Sequence, residues 1–476
     1  MKKIGKIFIM FTLAFVVGLA LVACVKEDDN RTVITYAAWD LGNVDDVNLE
    51  RKMIDEFMLK YPDIKVEIVE RPKIPNPSNP ESQIDQNWDE FLGAKASAKK
   101  LPDVFMHGEV LKAVQMGWAE DIKSLVTNDA EFSKISPDLL NSTELNGALY
   151  AIPLKAYYWG YYVNNKIFDD AGVEAPKVGI SFDELLQKAK AVSEPSNDGT
   201  GISGMRVGGD MQFWYPGYAN TNLGYYTWDG EKYNLDAPEY KQALEKRSEI
   251  FNEANAQYYS DVADSEFLNL NYNNDNEFSV WDAGKQAIRW EASYMLGTWL
   301  AWQNDPTRGL YGANIDFIGM PGDKQMMIVD YLVIGKGTKH PEEALLFAKW
   351  MGFGAAGYTR RLELVEENAN YEINFTPIVN DEALLSKYLE KYPTLIEFQK
   401  VIATQKIMFE SLSKNVPGYV NSRWDGQFGQ LGSETVQIKT VHDQLRDGLV
   451  NFDDVAERLN EMANYYYTEA KKQMFK

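Results

Sequence analysis

Thr32-Val33-Ile34-Thr35-Tyr36-Ala37-Ala38-Trp39 is a β-branched and aromatic run stopped by Asp40-Leu41-Gly42, and it reads as a strand. Leu49, Met53, Phe57 and Leu59 then recur at helical spacing until Tyr61-Pro62-Asp63 ends the pattern. Ile64, Val66 and Ile68 alternate with Lys65 and Glu67, which predicts a second strand. The Pro- and Asn-rich stretch from Pro72 to Pro80 predicts a surface loop. Trp88 to Lys99 is helical in pattern, and Leu101-Pro102-Asp103-Val104-Phe105 opens a short buried strand. This β-α-β-α-β alternation predicts an α/β domain with a largely parallel sheet.

Beyond it the character changes. Leu145 to Pro153 predicts a hairpin that leads into an aromatic strand, Tyr157 to Val163. Ser181-Phe182-Asp183-Glu184 is a capping box that opens a helix through Ala191. Asn197 to Gly209 is loop-rich, Pro238 to Asn255 a helix, and Asn269 to Asn276 an Asn-dense loop. Helix follows over Tyr294 to Trp302, strand over Ile315 to Met320 and Asp330 to Ile334, and helix over Pro341 to Met351. The last hundred residues read mostly as helices, interrupted at Asn415-Val416-Pro417-Gly418-Tyr419.

The N-terminus sets the compartment. Lys2, Lys3 and Lys6 precede an apolar run from Ile7 to Ala23, and Cys24 follows the small Ala23. The stretch resembles a bacterial lipoprotein signal, cut after residue 23, with Cys24 diacylated and residues 24–31 serving as a polar leash. A transmembrane anchor is the alternative, but roughly 17 apolar residues is at the lower margin for a span. Cys24 is the only cysteine, so no disulfide is expected, and the protein is placed at the extracytoplasmic face of the cell membrane.

A formal net charge of -22, more negative still once the leader's lysines are removed, argues against nucleic acid as a partner. The chain left after cleavage is long enough for two domains, each with its own core. Trp, Tyr and Phe make up 13% of the chain and cluster at Tyr157-Tyr158-Trp159, Phe213-Trp214-Tyr215 and Tyr225-Tyr226. Rings with an apolar face and a polar handle suit the mixed C–H and hydroxyl surface of a sugar. Only His107, His340 and His442 occur, without paired spacing, so no metal centre or other cofactor is expected. Asn271 to Glu277 has oxygen ligands at alternate positions but lacks the turn glycine of a calcium loop, and a plain loop is the expectation.

Several segments, in order, resemble the extracellular solute-binding proteins of ABC importers, the sugar-binding family to which maltodextrin-binding proteins belong. They are the opening strand with Trp39, the helix Leu49 to Tyr61 with Pro62 to Val66, and Leu101 to Phe105. The most diagnostic pair is Leu149-Tyr150-Ala151-Ile152-Pro153 and the run Tyr162 to Val173. Asp282 to Ala287, Phe317 to Gly322 and Lys339 to Ala344 with Phe347 complete the series.

The resemblance implies a two-lobed, periplasmic-binding-protein-like α/β fold of type II, with the ligand in a cleft between lobes joined by hinge strands. It places residues 32–154 plus 332–384 in lobe 1 and residues 155–331 plus 385–476 in lobe 2. It implies a carbohydrate ligand, an ABC permease as partner, attachment to the membrane through Cys24, a monomer, and no catalysis. By position it nominates Trp39, Asp40, Asn43, His107 and Glu109 from the first lobe and Tyr157, Tyr158 and Trp159 from the crossing. From the second lobe it nominates Phe213, Trp214, Tyr215, Trp290, Glu291, Tyr294, Arg423, Trp424 and Asp425. At His107 relatives often carry an aromatic residue or Asp. Two other readings stay open: a surface glycoside hydrolase with paired carboxylates, and a non-transport lectin or sensor of the same fold.

Overall fold

The computed structural model describes residues 30–43, 47–77, 79–368, 370–404, 406–410, 416–419, 422–423 and 440–474. The leader, Cys24, most of the leash, and the candidates Trp424 and Asp425 lie outside the described residues. In chain order the strands are β1 (Thr32–Ala37), β2 (Ile64–Ile68), β3 (Lys73–Asn76), β4 (Asn79–Asp85) and β5 (Val104–His107). Then come β6 (Glu144–Leu145), β7 (Ala148–Leu149), β8 (Ile152–Asn164), β9 (Ser203–Arg206) and β10 (Gln286–Ala292). Last are β11 (Ile315–Gly319), β12 (Gln325–Ile334) and β13 (Ile407–Phe409).

Nine of them form one sheet in the order β2-β1-β5-β12-β8-β10-β9, with β11 also on β8 and β13 also on β12. β1 runs parallel to β2 and β5, as the β-α-β-α-β pattern requires. β12 joins β5 antiparallel, pairing Tyr331 to Ile334 with His107 to Val104. β8 pairs its first half with β12, from Ile152↔Leu332 to Trp159↔Met326, and its second half with β10, from Trp159↔Ala292 to Val163↔Ile288. The two long strands therefore tie together two apolar cores. One gathers Ile34, Tyr36, Phe57, Phe105, Phe347 and Trp350, with Trp299 and Phe317 packed into it. The other gathers Phe168, Phe182, Trp214, Tyr240 and Ile288 with the C-terminal Leu459 and Met462. On β8 itself Tyr158 belongs to the first core and Tyr161 to the second. The result is a two-lobed α/β fold.

Local chemistry fixes the ends of the elements. Asn48 caps the helix Leu49–Lys60 by accepting from the Arg51 N–H at 3.0 Å, and Ser181 accepts from Glu184 N–H as the capping box requires. Between the lobes Gly160 is obligatory. A Cβ there would lie 2.3 Å from the carbonyl carbon of Gly319, where the register between β11 and β8 shifts.

Four expectations need correction. Pro72 to Pro80 contains β3 and the start of β4, an antiparallel ribbon rather than a loop; an Arg71–Asp85 ion pair at 2.6 Å holds its base, so no apolar alternation marks it. The loop-rich stretch Asn197 to Gly209 contains β9, a buried strand whose Gly204 lets the helix Phe182–Ala191 approach. Only the first half of the Asn-dense stretch, residues 269–272, is helical, as the end of the helix Ser265–Tyr272; left-handed Asn273, with φ 54°, ends it and residues 273–276 are the expected loop. There the Asn271 side chain accepts from Ser196 N–H and Asn276 caps Phe278, so those oxygens serve turns and helix ends. The helix from Pro238 also ends early, at Ile250.

The second core contains His442, which is fully enclosed, with Tyr226 Oη 2.6 Å from Nε2 and Tyr240 Oη 2.9 Å from Nδ1. A neutral imidazole has one N–H and one lone pair, so one tyrosine donates and the other accepts. Burial, and then the nearby Arg423 guanidinium, push its pKa well below the ordinary 6.5. The unfolded chain takes up the proton first, so the stabilisation is complete above about pH 6.5 and is lost as pH falls below it. Urea midpoints measured from about pH 7 down to about pH 5 should fall in the wild type and stay flatter in His442→Gln. Parallel slopes would refute a titrating role for His442.

Candidate functional site

Successive side chains of a strand point to opposite faces, and β8 uses this at the crossing. Lys155, Tyr157 and Trp159 face one way, toward Asp40 and Tyr294. Ala156 and Tyr158 line a separate concavity of about 400 Å³ on the other face, with Thr376 and Ile402. On the first face Tyr294 lies edge-on to Tyr157 at 5.6 Å and to Trp159 at 6.5 Å between ring centroids. Trp159 stacks on Trp290 at 5.8 Å with planes 13° apart, and Trp290 stacks on Trp214 at 5.4 Å and 19°. One row of five rings thus runs from the crossing into the second core. Its outer members are the half-buried Tyr157 and Trp159 and the exposed Tyr294, while Trp290 and Trp214 are buried.

Charged groups flank the row on both sides. On the first-lobe side Lys155 Nζ is 2.5 Å from Asp40 Oδ2 and 2.8 Å from Glu50 Oε1, and Arg361 reaches Glu50 at 2.6 Å. Burial works to raise the pKa of Glu50, but Arg361 and Lys155 outweigh it and hold the carboxyl at about 2. Oδ1 of Asp40 is buried and has no hydrogen-bond partner among the described residues. On the second-lobe side Glu291 accepts from Tyr294 Oη–H at 2.9 Å and from Arg289 at 3.4 Å. Arg206 lies over the Phe278 ring at 4.3 Å and donates to the Trp290 carbonyl at 3.1 Å. Ring faces with a few fixed donors and acceptors orient a polar ligand that has apolar patches.

The nominated residues divide into groups. Asp40, Tyr157, Trp159, Trp290, Glu291 and Tyr294 come together along the row, and Trp39 adjoins it through Asp40. Asn43 lies further out on the same loop, lining a pocket with Trp39. His107 is buried; its Nδ1 accepts from Glu109 N–H at 3.0 Å and Nε2 donates to Asp89 at 3.1 Å, leaving no free ring nitrogen. The His107 bond, with Lys112, holds the Asp89 carboxyl at about 2 against burial. Glu109 precedes a short helix, half-buried. Phe213 and Trp214 are enclosed in the second core, Tyr215 is half-buried against Phe182, and Arg423 lies 3.9 Å over the Phe213 ring. Tyr158 is buried on the other face of β8. The sequence reading passed over Lys155, Arg206, Glu50 and Arg361. Only Lys155 has a signal, its spacing of two and four from Tyr157 and Trp159.

The sequence profile of a family described as bacterial extracellular solute-binding protein matches residues 46–353, well over half of the chain. An uncharacterized ABC transporter extracellular-binding protein of Pyrococcus horikoshii is 28% identical over 226 residues, 45% of this chain and 47% of that one. The chain thus spans about half the length of this curated relative. An ABC substrate-binding protein of Listeria monocytogenes, solved in complex with cycloalternan, superposes with a TM-score of 0.64 at 17% identity, over 91% of this chain and 98% of that one. A solute-binding protein of Thermotoga lettingae bound to α-D-tagatose gives 0.61 at 16% identity, over 92% and 100%. The cyclic α-maltosyl-1,6-maltose binding protein of Arthrobacter globiformis gives 0.60 at 15% identity, over 92% and 100%. At these identities the likeness is one of fold.

Proposed function

Because the chain belongs to the bacterial extracellular solute-binding proteins, we propose that it is the lipid-anchored component of an ABC importer that captures a carbohydrate, an oligosaccharide rather than a monosaccharide. The observation that carries this reading is the row Tyr157, Tyr294 and Trp159, backed by Trp290 and flanked by Asp40 and Glu291. Sugars are the bound or named ligands of the three similar solved proteins. Hinge bending between residues 154 and 155 and between 331 and 332 would close residues 32–154 and 332–384 over the rest, with the ligand between them. The ligand drives closure only by binding the closed form better, and a swing from 1:99 to 99:1 takes about 5.5 kcal/mol of differential affinity. The closed shape then presents itself to the permease, and acylated Cys24 keeps the protein near it at high effective concentration.

A thermal-shift screen against neutral mono- and oligosaccharides tests this, because a ligand that binds only the folded state raises the melting temperature by mass action. Oligosaccharides should give the largest shifts; no shift with any sugar would refute the reading. The glycoside-hydrolase alternative makes a different prediction. On prolonged incubation with a bound oligosaccharide the binding protein releases no new reducing ends, whereas sustained release would replace binding by catalysis.

A further inference from the structure

Side chains alternate across β8, so Ala156 and Tyr158 turn away from the aromatic row onto the reverse of the crossing. The concavity of about 400 Å³ there takes no side chain from the row. Tyr158 and Met327, directly opposed across β8 and β12, are part of its floor. One wall joins two segments of the first core: Ile135 bridges to Val379, and Asn380 N–H donates to the Lys134 carbonyl at 3.0 Å. The other wall is β13, parallel to β12, with Ile407 and Phe409 lining the space. Backbone pairing holds both walls, so the concavity is preorganised.

Its polar groups limit the occupant. Tyr158 is 5% exposed and Thr376 8%, and both line the space. Neither hydroxyl bonds to a described residue, and burial alone pushes the Tyr158 pKa up. An enclosed hydroxyl without a partner costs stability, so these two mark where a hydrogen-bonding group would sit. Leu139, Met327 and Phe409 supply apolar surface beside them. At the rim Asp138 and Glu382 are exposed and form no ion pair with a described residue. Asp381 is already engaged: it accepts from Ala383 and Leu384 N–H at 3.1 and 3.2 Å and pairs with Lys134 at 3.3 Å. In a chain of net charge -22, open carboxylates at this mouth repel anions and gather small cations.

We propose that this concavity is a second binding site, for a small organic cation with an apolar middle and a hydroxyl or similar group at its far end. The ammonium meets Asp138 and Glu382, and the far end reaches the Tyr158 and Thr376 hydroxyls. The test is calorimetry of the mature protein near neutral pH, with tyramine as the probe. Phenethylamine lacks its hydroxyl, tyrosol lacks its charge, and 4-hydroxyphenylacetate reverses the charge. Tyramine should bind about fivefold or more tighter than phenethylamine or tyrosol, and the acid should not bind. Tyr158→Phe should remove most of the preference over phenethylamine. Asp138→Asn with Glu382→Gln should remove most of the preference over tyrosol. Trp159→Ala, on the other face of β8, should leave tyramine affinity within about twofold. No binding of tyramine, equal binding of all four compounds, or a loss confined to Trp159→Ala overturns the site. None of these readouts uses a sugar, so sugar capture stands or falls by its own screen.

Discussion

Replacing Lys155 with methionine is expected to lower the unfolding free energy by about 3–5 kcal/mol, the usual cost of stranding a buried charge partner. Lys155 is 6% exposed, and its ammonium stands between Asp40 and Glu50. Without it Glu50 keeps only Arg361, and Asp40 loses its cation. The loss measures the abandoned carboxylates more than the pair itself, because a buried ion pair as a whole stabilises little over a well-packed apolar substitute. Lys155→Met combined with Glu50→Gln should therefore recover part of the loss, leaving only the half-buried Asp40 to be solvated. The acid side supplies a second readout. Glu50 is held at about 2 against an ordinary 4.5, so its contribution is complete above about pH 4.5 and is lost as pH falls toward 2. The gap between wild type and Lys155→Met in urea midpoint should stay constant near neutrality and narrow below about pH 4.5. A variant that unfolds at the wild-type midpoint would show that the network does not hold the crossing.

Trp290→Ala and Trp159→Ala should separate support from contact. Trp290 is 5% exposed, stacked on both Trp159 and Trp214, and so close to Gly208 that a Cβ there would lie 2.4 Å from the indole. Its removal opens a cavity in the second core, and Trp→Ala at such a site costs about 3–5 kcal/mol. Loss of ligand affinity in Trp290→Ala would then accompany a loss of stability. Trp159 is half-buried and ends the stack of three indoles, so its removal leaves a smaller void than that of Trp290. Trp159→Ala should cost less stability and lower oligosaccharide affinity by about tenfold or more. Thermal melts paired with calorimetry read both quantities. If Trp159→Ala binds as well as wild type while Trp290→Ala remains fully stable, the assignment of roles is reversed.

Elements whose side chains alternate or recur against solvent were legible in the residue order. The helix Leu49–Lys60 and the strand Ile64–Ile68 match their patterns to the residue or nearly so, because each has one wet face. β9 and β10 are buried almost throughout, so they lack the alternation that would announce them. The β3–β4 ribbon escapes for the opposite reason, since ion pairs and a cation over an indole hold it together. In the site, Tyr157, Trp159 and Trp290 stood out as aromatics. No rule of spacing, however, separates Trp159 at the surface of the row from Trp214 enclosed behind it. The Lys155–Glu50–Arg361 cluster joins residues 311 positions apart in its longest link, beyond the reach of any local pattern.

The stack of Trp159, Trp290 and Trp214 also has an optical consequence. Indoles held nearly parallel at such separations couple their excited states, and the coupling depends steeply on distance and angle. Trp159 sits at the crossing, whereas Trp214 is fixed within the second core. Any shift at the crossing alters the coupling, so near-ultraviolet circular dichroism and tryptophan emission would follow it without an added label. The ring that would meet the ligand thereby belongs to an intrinsic gauge of the hinge.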